Sequence, residues 1–311
     1  MTFGLTSIAH EGSACAAIKI GGQLWMLPAA GERLGLRDFS RELIDLFRRW
    51  PETRDGVMRV ADAAAGGELP DLALDERAIE IVLPLQYPRK VFCVGANYAD
   101  HLAEMKVVVE KVEGRAPFFF IKPGSTALAG PGRTVHIPGG CTDFDWEGEL
   151  VVVFGRGGRN IRPERALDYV AGYTLGIDFT ARNQMAAPHL PFKFDFTLGK
   201  CQDNGTPIGP VIVPKEFVDG EHTDFRLSVN GVQKQRGCTA DMIYTLAEQI
   251  AGISKAVRIE PGDIMFTGSP AGVGAASGES LSVGDRVAVE SEAIGRLEVV
   301  IQAPFGPNDD V

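Results

Sequence analysis

The chain has 311 residues, of which 45% are hydrophobic and 23% charged, the profile of a soluble globular protein with room for one large domain or two unequal ones. A net charge of −10 argues against a nucleic-acid partner, which calls for a basic face. No apolar run approaches the roughly 18 residues of a membrane span, and the start, MTFGLTSIAHEG, lacks the charged and apolar regions of a signal peptide.

The five cysteines are scattered and never spaced C-x-x-C, which predicts reduced thiols in a cytoplasmic enzyme, without a disulfide framework or zinc knuckle. The 37 glycines and 19 prolines punctuate many short apolar segments, so a mainly β fold with many turns is expected.

Residues 1–85 read as a small N-terminal domain and 86–311 as a larger catalytic one, with a linker at 83–88. In the first, 16–20 and 23–27 flank Gly21-Gly22 as a hairpin. Residues 40–50 have the helical spacing Leu43, Ile44, Phe47.

The second begins with a strand over 90–94. Asn97 then looks like an N-cap with Asp100 at N3, opening a short helix to about Met105. A helix is expected at 165–171. The pair Asn230-Gly231 between 225–229 and 232–235 predicts a hairpin with a type I′ turn. Residues 239–255 have helical periodicity, and the turns at 261–263 and 283–285 lead into strands.

Chemistry concentrates in DFDWEGELVVVF, residues 143–154. The run Leu150–Phe154 reads as a strand, on which Glu147 and Glu149 point to one side. Either they lie on a solvent-facing edge, or a hard divalent cation relieves their repulsion. Asp178 ends another strand-like run, GYTLGID. Alone it suits a turn or cap; with the glutamates it completes a set of three carboxylates fit for Mg²⁺ or Mn²⁺.

His101 and Glu104 share a helix face at i, i+3, as a carboxylate-oriented general base or as an exposed polar pair. The stretch 268–274, GSPAGVG, offers backbone N–H groups that could cradle a carboxylate. His10, His136, His189 and His222 have no metal-like spacing and read as surface or structural. No Walker loop, H-E-x-x-H, G-x-S-x-G elbow or Rossmann fingerprint is present.

Eight segments in this order, VGANYADHLAEM, PFFFIKPGSTALAG, DWEGELVVVFG, AGYTLGIDFTARNQ, GKCQDNGTPIGP, VNGVQKQ, PGDIMFTGSPAGVG and LSVGDRVAVE, resemble the fumarylacetoacetate hydrolase family over about residues 88–300. That group includes acylpyruvate hydrolases and 2-hydroxyhepta-2,4-diene-1,7-dioate isomerases. The resemblance implies an α+β, mainly β fold, with a mixed β-sandwich or roll and a small N-terminal domain, usually as a homodimer.

It also implies Glu147, Glu149 and Asp178 as ligands of Mg²⁺ or Mn²⁺, and His101 and Glu104 as a dyad on a lid over residues 97 to about 116. Lys200 is implied to reach the substrate. Thr267 and Gly268 would hold a substrate oxygen, with Arg182, Gln184 and Gln235 nearby. The chain departs from the family at Asn183, at 185–199 and at 202–205, all around the expected substrate pocket.

The expected reaction is metal-dependent cleavage of a C–C bond in a 1,3-diketone or acylpyruvate-type 2,4-dioxo acid. His101 and Glu104 would activate water, and the departing carbon would leave as the enolate of a pyruvate-like product. The alternative within the same chemistry is an isomerase or decarboxylase of 2-oxo acids from aromatic catabolism. A metal- and ligand-binding protein without catalysis is the alternative outside it.

Overall fold

The structure, a computed structural model, describes residues 2–37, 39–112 and 114–306. Glu113, in the expected lid, lies outside them. The fold is α+β and mainly β, as the sequence predicts.

A mixed sheet of twelve strands has as its central path, from one edge to the other, Leu74–Asp75, Gln23–Met26, Ser13–Ile20, Gly4–His10, Thr206–Pro214, Val170–Ile177, Gly148–Phe154, Ile264–Phe266, Val91–Val94 and Phe119–Lys122. A five-stranded sheet packs on one face of it: Val232–Cys238, Asp224–Val229, Arg286–Ser291, Gly295–Gln302 and Thr134–His136.

Strand alternation divides the core. Leu150, Val152, Phe92 and Val94 face the smaller sheet and meet Leu227, Val289 and Leu297 in one cluster. Val151, Val153, Val91 and Cys93 face the other way, onto Leu46, Phe47, Trp50 and Val57 of the N-terminal helices. Strands buried on both faces read as continuous apolar runs, and Leu150–Phe154 is fully buried. Residues 1–85 are joined to the rest by this second cluster and by the pairing of Leu5 with Ile212.

Both hairpins form. Ile20 pairs with Gln23, and Val229 pairs with Val232 across Asn230 and Gly231, both at positive φ as a type I′ turn requires. Four local expectations are corrected. The helix expected over 40–50 is Leu43–Arg48, followed by an unforeseen helix, Trp50–Ala65. Residues 163–169 form a 3₁₀ turn rather than an α-helix.

The helix expected over 239–255 starts at Leu246. Thr245 and Glu248 form its capping box, while Met242 bridges to Tyr98 in extended backbone. Asn97 does not cap the helix Ala99–Glu104: Tyr98 holds that position with no side-chain cap. The Asn97 side chain is instead buried, donating to the Tyr244 and Thr267 carbonyls and accepting the Tyr244 N–H. Among the described residues, no helix is long and apolar enough to cross a membrane. All five cysteines are free.

Candidate active site

Gly148 pairs with Ile177, so the two strands bring Glu147 beside Asp178, and the Asp178 N–H donates to the Glu147 carbonyl at 2.8 Å. Glu149 shares the Val151 and Val153 side of its strand. Glu147, Glu149 and Asp178 are all buried, and one carboxylate oxygen from each lies within 4.8 Å of the others. The solvent-edge alternative is therefore excluded. Three hard oxygen donors converging this closely fit a divalent ion such as Mg²⁺ or Mn²⁺.

Buried charge of one sign is costly unless it is paired. Lys200 Nζ donates to Glu147 Oε2 at 2.8 Å and Asp178 Oδ2 at 2.9 Å. Arg182 spans Glu147 Oε1, at 2.6 Å, and Asp145 Oδ2, at 2.8 Å. Lys122, fully buried, donates to the other Asp178 oxygen and to Thr206 Oγ1.

Burial raises the Glu147 carboxyl, but the Lys200 and Arg182 charges overrule it and hold it well below the usual range. Among the described residues, no side-chain cation bonds Glu149, which accepts the Gly268 N–H at 2.6 Å. Burial, then the Asp178 and Glu147 charges, push it well above that range. Burial works against the Lys200 ammonium, but Asp178 and Glu147 outweigh it, so Lys200 stays protonated.

His101 Nδ1 lies 2.8 Å from Glu104 Oε1, and Glu104 Oε2 accepts the Gly272 N–H at 2.8 Å. The dyad is thus a fixed arrangement rather than an exposed pair. It leaves Nε2 as the ring nitrogen that Glu104 does not engage, and His101 is close enough for its charge to act on Glu147. The glycine-rich stretch does cradle carboxylates, but they are the protein's own. Gly268 donates to Glu149 and Gly272 to Glu104, while Gly274 and Ala275 donate to Asp145. Gly268 adopts φ +102°, a region that favours glycine.

Three residues expected near the substrate make hydrogen bonds within the protein. Thr267 Oγ1 donates to the Leu150 carbonyl. Gln235 is buried, donates to Ser269 Oγ and the Pro270 carbonyl and accepts the Gly148 N–H, so it ties the loop to the strand. Gln184 donates to the Gly139 carbonyl at 2.7 Å, and Asn183 anchors the same loop through Gly140. Arg182 lies beside the acids, bonded to Glu147 and Asp145.

Sequence reasoning missed Lys122, Asp145 and Asn97. Asp145 was detectable, because the acids at 143, 145, 147 and 149 alternate without a break. In the expected lid, the Val112 N–H donates to Tyr244 Oη and Lys111 pairs with Glu248. The other histidines are structural or exposed: His136 stacks on Phe305, and His222 pairs with Asp219.

Comparison with known proteins agrees. Fumarylacetoacetate (FAA) hydrolase C-terminal matches residues 90–302. The chain is 32% identical over 274 residues to the mitochondrial oxaloacetate tautomerase fahd2 of Xenopus laevis, covering 87% of this chain and 83% of that protein. It superposes on the fumarylacetoacetate hydrolase of psychrophilic Exiguobacterium antarcticum with a TM-score of 0.75 at 26% identity, covering 97% of this chain and 99% of that one. It also superposes on the fumarylpyruvate hydrolase of Pseudomonas aeruginosa, solved in complex with Mn²⁺ and pyruvate, with a TM-score of 0.63 at 30% identity, covering 72% and 92%. The chain belongs to the fumarylacetoacetate hydrolase family.

Proposed function

We propose that the chain hydrolyses a C–C bond in an acylpyruvate-type 2,4-dioxo acid or a related 1,3-diketone, with Mg²⁺ or Mn²⁺ at Glu147, Glu149 and Asp178. The observation that supports it is the dyad: a histidine held by a carboxylate that is itself fixed by Gly272, beside the clustered acids. When bound there, a divalent ion supplies Lewis-acid polarisation of the oxo-acid oxygens.

The chain's own residues do the rest. Glu104 fixes the His101 ring, so Nε2 is free to take a proton from water. The resulting hydroxide adds to the distal carbonyl. Lys200, kept protonated, donates to the developing oxyanion, an effect worth about 3 kcal/mol for one donor. The bond between that carbonyl carbon and its neighbour breaks, releasing a carboxylic acid. The proton held on His101 passes to the departing carbon, giving a pyruvate-like acid.

A second reading, a tautomerase of 2-oxo acids, is favoured by the similarity to the Xenopus enzyme. It needs His101 to move a proton between carbon and oxygen, without water addition. Incubating acylpyruvates and 1,3-diketones with the purified chain and Mg²⁺ or Mn²⁺, with product masses followed, separates the two. A carboxylic acid paired with a pyruvate-like acid, or with a ketone from a diketone, supports hydrolysis, and interconverted keto and enol forms of unchanged mass support tautomerisation. We further propose a cytoplasmic homodimer, which fractionation and light scattering test.

A further inference from the structure

We propose that the group on the distal carbonyl is apolar, and that Phe118, Phe120 and Phe196 form the wall that selects it. This rests on the 2-oxo acid chemistry proposed above and adds the class of substituent.

The sheet register supplies the geometry. Val151 pairs with Phe266, Phe266 with Cys93, and Cys93 with Phe120, so these four lie in one row. Two residues along each strand, the row becomes Glu149, Gly268, Gly95 and Phe118. The Gly268 N–H donates to the Glu149 carboxylate, and the Gly95 N–H donates to the Phe118 carbonyl. The two residues between Glu149 and Phe118 are glycines, and the Asn97 side chain packs where a Gly268 side chain would stand. A Cβ on Gly95 would come within 2.9 Å of the Phe118 ring. The ring therefore lies over Gly95, one strand nearer to Glu149 than its own backbone.

Two files of side chains run outward from the acids. Phe118, Phe120 and Lys122 alternate onto one side of their chain segment, and Lys122 ends on Asp178. Phe196 and Lys200 stand four apart on the helix Phe196–Lys200, hence on one side of it, and Lys200 also ends on Asp178. The rings meet: Phe196 lies 5.1 Å from Phe118 and 5.5 Å from Phe120, centre to centre.

Phe118 is 50% exposed, so this aromatic wall retains free surface to cover. The loop that begins at Gly95 leads into the helix Ala99–Glu104, which carries His101. A substrate whose oxo-acid head meets the three carboxylates would lay its acyl group against these rings. A second carboxylate there would lose its hydration with no charged partner among the three.

The test measures binding by calorimetry in Mg²⁺ with the full chain. The ligands are pyruvate, 2-oxoglutarate and 2-oxo-4-phenylbutanoate, none of which has the 1,3-dicarbonyl needed for cleavage. The phenyl compound is expected to bind about tenfold more tightly than the other two. Phe118→Ala and Phe196→Ala should each remove most of that advantage and leave pyruvate unchanged. Phe118→Lys should shift the preference towards 2-oxoglutarate.

Equal binding of pyruvate and the phenyl compound would overturn the proposal. So would variants that weaken pyruvate equally, which marks the rings as scaffolding. So would variants that change the oligomeric state without moving the preference, which marks the rings as a surface for a second copy. Failure of all three ligands to bind would contradict the 2-oxo acid reading itself, and the wall with it. Pyruvate binding without a tail preference removes the wall alone.

Discussion

Glu104 accepts the Gly272 N–H at 2.8 Å through Oε2, the oxygen that His101 does not use. The carboxylate therefore links the short helix Ala99–Glu104 to the glycine-rich loop, and that loop holds Glu149 and Asp145 through its other N–H groups. Base and acids are positioned by the same stretch of backbone.

Substitution should separate the two roles of Glu104. Glu104→Gln keeps an acceptor for Gly272 but loses the second carboxylate oxygen that orients the His101 ring. It is expected to lower kcat about tenfold, whereas His101→Ala should lower it about 10²- to 10⁴-fold, the usual worth of a general base. Steady-state rates on a cleaved acylpyruvate measure both. A Glu104→Gln loss as large as that of His101→Ala would contradict the division.

Glu149→Gln should reduce Mg²⁺ or Mn²⁺ affinity by about a hundredfold, read by calorimetry. The fold, read by circular dichroism, should persist, because the amide oxygen can still accept the Gly268 N–H. Unchanged metal affinity would remove Glu149 from the ligand set.

Lys122→Met should destabilise the protein by about 3 kcal/mol, because it leaves one oxygen of a buried Asp178 carboxylate without its cation. Urea denaturation measures this. A change below about 0.5 kcal/mol would mean that Lys200 alone satisfies Asp178.

A pH effect is expected on the far face of the five-stranded sheet. Hydrogen bonds from Arg226 and then Arg296 hold the Glu290 carboxyl below its usual range, and those from Arg296 and then Arg286 do the same for Glu298. Each folded value lies below the unfolded one. The stability these acids contribute is thus present above the unfolded pKa, about 4.3, and lost as pH falls through the folded value. Glu298→Gln should cost about 0.5 kcal/mol at neutral pH and almost nothing near pH 2, by denaturant titration. An equal cost at both pH values would contradict this.

The parts of the site read from sequence are those whose signal is local. Glu147 and Glu149 alternate on a strand, and Asp178 ends the apolar run that pairs with it. His101 and Glu104 are one helical turn apart. What was missed is set by distant partners. Lys122 is a single charge in a phenylalanine-rich run, and its partner Asp178 lies 56 residues on. Asn97 has the local pattern of a cap, but its partners are 147 and 170 residues away, so tertiary hydrogen bonds decide its role. The helix Trp50–Ala65 was legible in principle. Trp50, Val57, Val60, Ala61 and Ala64 are buried at helical spacing, diluted by charged residues on the opposite face.

In the proposed reaction, water is added across a C–C bond. Wild-type chain, Mg²⁺ and an acylpyruvate in ¹⁸O-labelled water, with products followed by mass spectrometry, test it directly. The account predicts one labelled oxygen in the released carboxylic acid and none incorporated into the carboxylate of the pyruvate-like product. Recovery of substrate at unchanged carbon count, interconverted between keto and enol forms, or loss of CO₂ without a labelled acid, would contradict it.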